Sequence, residues 1–156
     1  GSEEAILHRA MDLERGAGRF YTALRDRFQP QPWAESLAAL AGAEESHARL
    51  IYSHWAAQVS EPPPFAQLYD ALAGDIVEGG YSCEALLTML AQQIEPTCPM
   101  VLEMALTVEY AAYDLSRHLA HRFAESPLAA VFNSIAEAEK QHMHLGAQAL
   151  ALCMED

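Results

Sequence analysis

The stretch 136-AEAEKQHMHL-145 carries polar residues where an amphipathic helix should be apolar. Apolar residues recur every three or four positions from Phe132 and Ile135 onward, which predicts a helix. Glu139 and His142 fall on that apolar stripe, and their i, i+3 spacing puts both side chains on one helix face. Because a buried charge is costly unless it is paired or bound to a metal, this interruption predicts a chemical role.

The same interruption occurs on four predicted helices. Apolar spacing predicts long helices over about residues 3–28, 32–58, 99–123 and 127 to the C-terminus. Each apolar stripe contains an acid near its middle, and two stripes also carry a histidine three residues later. The interrupting residues are Glu14 on the first helix, Glu44 and His47 on the second, Glu109 on the third, and Glu139 and His142 on the fourth.

The two halves of the chain also resemble each other. Residues 6–50 align without a gap with residues 101–145, and the matches extend to unusual polar positions. This coincidence indicates an internal repeat of a helical hairpin. The matched pairs include Glu14 with Glu109, Arg27 with Arg122, Phe28 with Phe123, Pro32 with Pro127, Glu44 with Glu139, and His47 with His142.

Two repeated hairpins predict an all-α fold, a four-helix bundle with one long crossover connection. The three prolines at 62–64 end the second helix, and a connection of roughly 40 residues then leads to the third helix. This crossover is predicted to contain a short helix, with Ser82 as its N-cap. Residues 1–156 are enough for one compact domain with a core, and we expect a single domain.

Composition excludes several function classes. The formal net charge of −13 argues against a nucleic-acid partner, which would usually require a basic face. No apolar run reaches the length that spans a membrane, so no membrane association is expected. Cys83, Cys98 and Cys153 are widely spaced without a CxxC pair, which argues against a disulfide framework, a zinc finger or a rubredoxin-type iron site. We therefore expect a reducing, cytoplasmic location.

Four buried carboxylates at one level of a bundle would repel one another strongly, and few basic residues lie on these stripes to balance them. Two divalent cations would neutralise the four charges, with the two imidazoles completing the coordination. One Glu from each of two helices, with Glu-x-x-His from each of the other two, is the arrangement of di-iron and di-manganese sites in ferritin-like bundles. We predict two iron ions here, with manganese also compatible because the same ligand types suit both metals.

The chain resembles the ferritin-like superfamily, and specifically a rubrerythrin-like di-iron carboxylate domain. The residues that carry the resemblance are Glu14 with Tyr21, 44-EESH-47, Glu109 and 139-EKQH-142. The resemblance implies that Glu44 and Glu139 bridge the metals, that Glu14 and Glu109 are terminal ligands, and that His47 and His142 bind one metal each. It also makes Tyr21 a candidate catalytic residue. Tyr21 is either hydrogen-bonded to a ligand carboxylate or an ordinary core tyrosine.

The chain departs from the resembled families at two positions. Rubrerythrins usually carry a further acid one turn after the third-helix ligand, and Ala112 stands there. Bacterioferritins have a similar set of four Glu and two His, but Glu45 replaces their haem-binding Met, so no haem is expected. We also expect no rubredoxin module and no fifth helix of the cage ferritins, and therefore a homodimer rather than a shell.

The leading functional prediction is an oxidoreductase that reduces peroxide or dioxygen, with electrons from an external donor. A ferroxidase or iron-binding protein for storage or delivery is the first alternative. A di-iron oxygenase is the second, since Gly16, Ala17, Gly18 and Ala112 would leave space for an organic substrate near the acids. A helical interaction module without metal is the remaining alternative, and the repeated buried acids argue against it.

Overall fold

A computed structural model describes residues 2–92 and 97–154 of the chain. Over these residues the fold is all helical, and the only β-type pairing is an isolated bridge between Ile76 and Ser82. The four long helices predicted from the sequence are confirmed, although two begin one or two residues later than predicted. In chain order the helices are α1 Ser2–Phe28, α2 Ala34–Ala56, α3 Phe65–Ala71, α4 Cys83–Ala91, α5 Cys98–Arg122 and α6 Leu128–Met154.

The long helices pack as two hairpins, α1 against α2 and α5 against α6. The hairpins meet through contacts of α2 with α6 and of α1 with α5. Ser126 accepts a hydrogen bond on its Oγ from the backbone N–H of Leu128, 3.2 Å away, and so caps the start of α6 as its position before Pro127 predicts. The loop between α1 and α2 and the loop between α5 and α6 are both short, and each joins two antiparallel helices that pack together.

The acids divide the core into two apolar clusters. One cluster contains Leu7 and Met11 of α1, and the other contains Phe20 and Leu24 of the same helix, with Glu14 between them along the chain. The same division recurs on α2, where Leu37 and Ile51 belong to different clusters. Apolar packing above and below the acids therefore holds the four helices in register at the level of the polar residues.

The described part of the crossover contains two short helices rather than the one predicted. Helix α4 is the predicted one, and Ser82 caps it by accepting a hydrogen bond from the N–H of Ala85 at 3.2 Å. Helix α3, which follows Pro64, was missed because the proline run was interpreted only as a stop signal. Proline also suits the first turn of a helix, and α3 is stabilised by burying Phe65 and Leu68 in the core.

The prediction that the cysteines form no disulfide is wrong. Cys98 at the start of α5 is joined to Cys153 near the end of α6, with their Cα atoms 6.0 Å apart. The cysteines are 55 residues apart in sequence, and an antiparallel hairpin brings its two open ends together. Cysteine usage therefore no longer supports a reducing compartment. Among the described helices, none combines the length and apolarity that crossing a membrane requires.

Candidate metal centre

The structure brings the six predicted ligand residues to one buried place between the hairpins. Two groups of ligand atoms can be drawn there, each with all its atoms within 4.8 Å of one another. Glu44 and Glu139 belong to both groups, so the groups share two carboxylates, one from each hairpin. The first group is completed by Glu14 and His47, and the second by Glu109 and His142.

The helical stripes explain why these side chains converge. Each acid occupies a core-facing position of a long helix, and all four are at most 5% exposed, with Glu139 fully buried. His47 is also buried, whereas the side chain of His142 is 19% exposed. The centre is therefore closed to solvent except on the side of His142.

The buried polar atoms of this cluster are left without hydrogen bonds. Both carboxylate oxygens of Glu109 and of Glu139 lack a partner among the described residues, as do the Nδ1 atoms of both histidines and one oxygen each of Glu14 and Glu44. An unsatisfied buried polar group costs roughly 1–3 kcal/mol, and more when it is charged. Carboxylate oxygens and imidazole nitrogens are ligands for iron and manganese, so this donor set fits a bound metal pair.

The two imidazoles face each other across the centre. Their ring centroids are 6.1 Å apart in a stacked arrangement. The Nδ1 of His47 lies 3.2 Å from Oε1 of Glu139 and 3.6 Å from Oε2 of Glu14, while the Nδ1 of His142 lies 3.9 Å from Oε2 of Glu109. Each histidine therefore directs the same ring nitrogen at carboxylate oxygens, as two separate metal positions would require.

Burial and mutual repulsion raise the pKa values of two of these acids, Glu44 and Glu139. Burial, followed by the carboxylate of Glu14, raises the pKa of Glu44 well above its usual value. Burial and Glu109 raise the pKa of Glu139. Although burial alone would raise the pKa of Glu109, its contacts with Glu139 and His142 outweigh burial and the net shift is downward. For His47, burial lowers the pKa, but the neighbouring Glu14 outweighs burial and the net shift is upward.

A fifth buried carboxylate near the centre was missed by the sequence analysis. Glu78 lies in the crossover, is 2% exposed, and has an Oε2 without a hydrogen-bond partner among the described residues. Burial, followed by the charge of Glu14, raises its pKa well above the usual value. In the sequence, Glu78 stands between the apolar pair Ile76-Val77 and the pair Gly79-Gly80. This pattern has no helical period from which the burial of Glu78 could be predicted. The six ligand residues were found because helices repeat, and Glu78 does not belong to a helix.

Tyr21 is fully buried beside the centre, but its hydrogen bond differs from the one considered above. Its hydroxyl donates to the backbone carbonyl of Ala105, 3.3 Å away, instead of to a ligand carboxylate. Burial, then the charge of Glu109, raises the pKa of Tyr21 well above its usual value. Because Ala105 precedes Glu109 by one helical turn, this bond ties α1 to α5 next to a ligand residue. A catalytic role for Tyr21 stays a prediction.

The space that the small residues of α1 were expected to leave is filled. A β-carbon on Gly16 would collide with the carbonyl oxygen of Ile76, and one on Gly18 would lie 3.0 Å from the hydroxyl of Tyr69. A surface groove of about 630 Å³ is lined by charged residues such as Arg15, Arg19 and Asp70 and by none of the six ligand residues. The space that the oxygenase alternative places beside Gly16 and Gly18 is therefore occupied by the crossover and by Tyr69.

A smaller apolar cavity does reach the centre. It has a volume of about 90 Å³ and includes Glu109 and His142 in its lining. Exposed Ala39 lies at its surface end, and the remaining lining is mostly aliphatic. Its aliphatic and small lining residues are Ala39, Leu40, Leu102, Ala105, Leu106, Leu145 and Gly146.

No protein-family model, curated protein or solved structure matches this chain. The assignment of the site therefore depends on its own residues. They form a buried cluster of glutamates and histidines, within an all-helical fold, that is able to hold metal.

Proposed function

We propose that the chain is a ferritin-like, rubrerythrin-like four-helix bundle with a di-iron centre that reduces peroxide or dioxygen. The observation that carries this proposal is the sharing of Glu44 and Glu139 by two groups of ligand atoms. Two such groups with common carboxylates suit two metals held as a pair, with Glu44 and Glu139 bridging. Glu14 with His47, and Glu109 with His142, would then be the terminal ligands of one metal each.

Ferrous ions held by these six residues would supply the two electrons that, with two protons, convert one peroxide to two waters. The residues of the chain exclude water from the reaction, since the four acids and His47 are buried. Electrons have to return from an external donor, which is part of the proposal. A manganese pair would occupy the same ligands.

The cavity beside Glu109 and His142 favours a small oxidant over an organic substrate. Its volume of about 90 Å³ is room for a few atoms, whereas sites for drug-sized molecules usually occupy about 300–1,000 Å³. Its aliphatic lining suits an uncharged molecule, because such a molecule gives up little hydration when it leaves water. Dioxygen and hydrogen peroxide both meet these conditions, and the oxygenase alternative would require the cavity to open further.

Ferroxidase activity linked to iron delivery is a second candidate, favoured by the charge of the chain. A formal net charge of −13 concentrates cations near the surface and speeds their arrival. The same centre would then oxidise iron as a substrate that passes through, instead of retaining it as a cofactor. The two candidates differ in how many irons one chain processes.

The test is metal analysis followed by rapid mixing of the reduced protein. Protein purified without added metal should contain two iron or manganese ions per chain, and the reduced iron form should consume about one peroxide per pair. Glu44→Ala and Glu139→Ala should lose the pair, whereas Glu45→Gln, which changes an exposed neighbour, should keep it. Oxidation of many irons per chain would favour ferroxidase, and a chain that binds no metal pair would refute both candidates.

A further inference from the structure

The turn that carries Glu78 is seated across α1 and α5, the helices of Glu14 and Glu109. On one side, the backbone of Ile76 occupies the place of a side chain at Gly16, two residues after Glu14. On the other, a β-carbon on Gly79 would lie 3.2 Å from the β-carbon of Ala111, two residues after Glu109. Glu78 lies between these two contacts, so its side chain enters the protein beside the metal centre.

The fold holds this turn in place by several independent contacts. The N–H of Val77 donates to the carbonyl of Tyr81 at 2.9 Å, and the N–H of Gly80 donates to the carbonyl of Val77 at 3.1 Å. Gly79 and Gly80 have φ values of +91° and +83°, which L residues with side chains rarely adopt. The loop is therefore a defined turn, in which Glu78 has a fixed position.

Two side chains of α1 anchor the segment that leads into the turn. Asp12 accepts a hydrogen bond on its Oδ1 from the N–H of Gly74, 2.9 Å away. Arg19 donates to the carbonyl oxygens of Ala73 and Gly74. These anchors lie on either side of Gly16 along α1, so the approach of the crossover to this helix is fixed at three points.

A role within the turn does not explain why the carboxylate of Glu78 is buried. One oxygen of its carboxylate, Oε2, is buried without a hydrogen-bond partner among the described residues. A carboxylate that served only the turn would avoid this desolvation cost by staying exposed. The charge of Glu78 is also close enough to act on Glu14, Glu109, Glu139 and Tyr21. The carboxylate therefore lies near the centre, although it is outside the two groups of closely spaced ligand atoms.

We propose that Glu78 is a fifth carboxylate ligand of the metal pair, entering between α1 and α5. This inference rests on the proposed function. The four carboxylates of the helices balance the charge of two divalent cations, and a fifth brings one further negative charge. Glu78 therefore favours the oxidised pair, whose charge is higher, and lowers its reduction potential.

The experiment titrates the metal-free chain with Co(II), whose visible absorption strengthens when the coordination number falls. Wild type is expected to bind two Co(II) per chain. Glu78→Gln keeps the size of the side chain and one carbonyl oxygen but removes the negative charge. This variant should bind cobalt about 10–100-fold more weakly and show stronger visible bands. Glu78→Asp retains the negative charge, but its side chain is shorter by one methylene group. The visible bands of cobalt bound to this variant should therefore also change. In the iron-loaded protein, the potential of Glu78→Gln should be higher than that of wild type.

The matched control is Asp75→Asn, which removes one charge from the same loop. The side chain of Asp75 is 76% exposed and pairs with Arg19 at 3.6 Å on the surface. Asp75→Asn should leave the cobalt affinity, the visible spectrum and the reduction potential unchanged. If Glu78→Gln matches wild type in affinity and spectrum, the proposal is wrong while the two-metal centre stands. Weaker binding with a wild-type spectrum at saturating cobalt would make Glu78 a positioning residue and refute its role as a ligand. A wild-type chain that binds no pair overturns both proposals.

Discussion

The Nδ1 of His47 lies 3.2 Å from Oε1 of Glu139, and this contact joins the two halves of the repeat. His47 belongs to the first hairpin and Glu139 to the second, so neither hairpin contains a complete group of ligand atoms by itself. Metal bound here would link α2 to α6 and stabilise the association of the hairpins.

Bound metal should raise the stability of the folded chain through the six ligand residues, which are Glu14, Glu44, His47, Glu109, Glu139 and His142. A ligand that binds only the folded state at 100 times its Kd adds about 2.7 kcal/mol to the free energy of unfolding, which is about 5–10 °C in Tm for a domain of this size. We expect such a rise when Mn(II) or Fe(II) is added to metal-free protein in a thermal melt. The rise should disappear in Glu44→Ala and Glu139→Ala and persist in Glu45→Gln. An equal metal response in all four proteins would contradict the ligand assignment.

Without metal, the chain should become less stable as the pH rises from about 5 to 8. The pKa values of Glu44 and Glu139 are raised in the folded state, so the folded chain binds more protons than the unfolded chain above their usual value of 4.5. Stability from such groups is complete below the unfolded pKa and is lost as the pH rises toward the folded pKa. Glu109 has a lowered pKa, and its contribution would be lost only below this window.

Urea unfolding in the presence of a chelator at several pH values measures this slope. Glu44→Gln removes one titrating group, and its stability should fall less steeply with pH than that of wild type. Metal-loaded wild type should show no such fall, because the cations displace the protons. Parallel slopes for wild type and Glu44→Gln would show that Glu44 does not hold a proton in the folded chain.

Gly16 and Gly42 form a matched pair of helical glycines with opposite expected effects. A β-carbon at Gly16 would collide with the carbonyl of Ile76, so Gly16→Ala should destabilise the fold by about 1–3 kcal/mol and displace the crossover. Nothing lies within 4 Å of a β-carbon at exposed Gly42, where alanine should stabilise the helix by about 0.5–1 kcal/mol. Denaturant unfolding of the two variants tests the docking of the crossover. Similar effects of both changes would argue against it.

The apolar cavity should control access of the oxidant to the centre. Ala39→Phe adds a ring that is large compared with the cavity of about 90 Å³, and oxidation of the reduced protein should slow at least several-fold while two metals stay bound. Ala38 lines the separate charged groove on the neighbouring face of α2, so Ala38→Phe is the control and should oxidise at the wild-type rate. Stopped-flow absorbance measures both rates. Equal rates in the two variants would place the entry route elsewhere.

The Cys98–Cys153 bridge should stabilise the second hairpin. Closing a loop of this length constrains the unfolded chain, and the loss of such a bridge typically costs about 2–4 kcal/mol. A reducing agent should therefore lower the Tm of wild type but leave Cys153→Ser unaffected, since that variant has no Cys98–Cys153 bridge to reduce. If reduction leaves the Tm of wild type unchanged, the bridge contributes nothing to stability.

The sequence by itself determined the four long helices and the six residues of the cluster. An α-helix has a fixed period, so an apolar stripe interrupted by Glu14 or by Glu139 and His142 reveals which side chains face the core. The repeat added the expectation that the two halves would contribute equivalent residues. Local spacing was sufficient because each ligand residue is positioned by the helix that carries it.

Only the tertiary structure decided what the connecting segments do. The turn of Glu78, the partner of Tyr21 and the bridge from Cys98 to Cys153 each depend on residues far apart in sequence. The space beside Gly16 looked empty from the sequence, but the crossover fills it. Loops have no period, and their positions are set by the few long-range contacts that stabilise them. The fifth buried carboxylate therefore became visible only once the crossover was docked on α1 and α5.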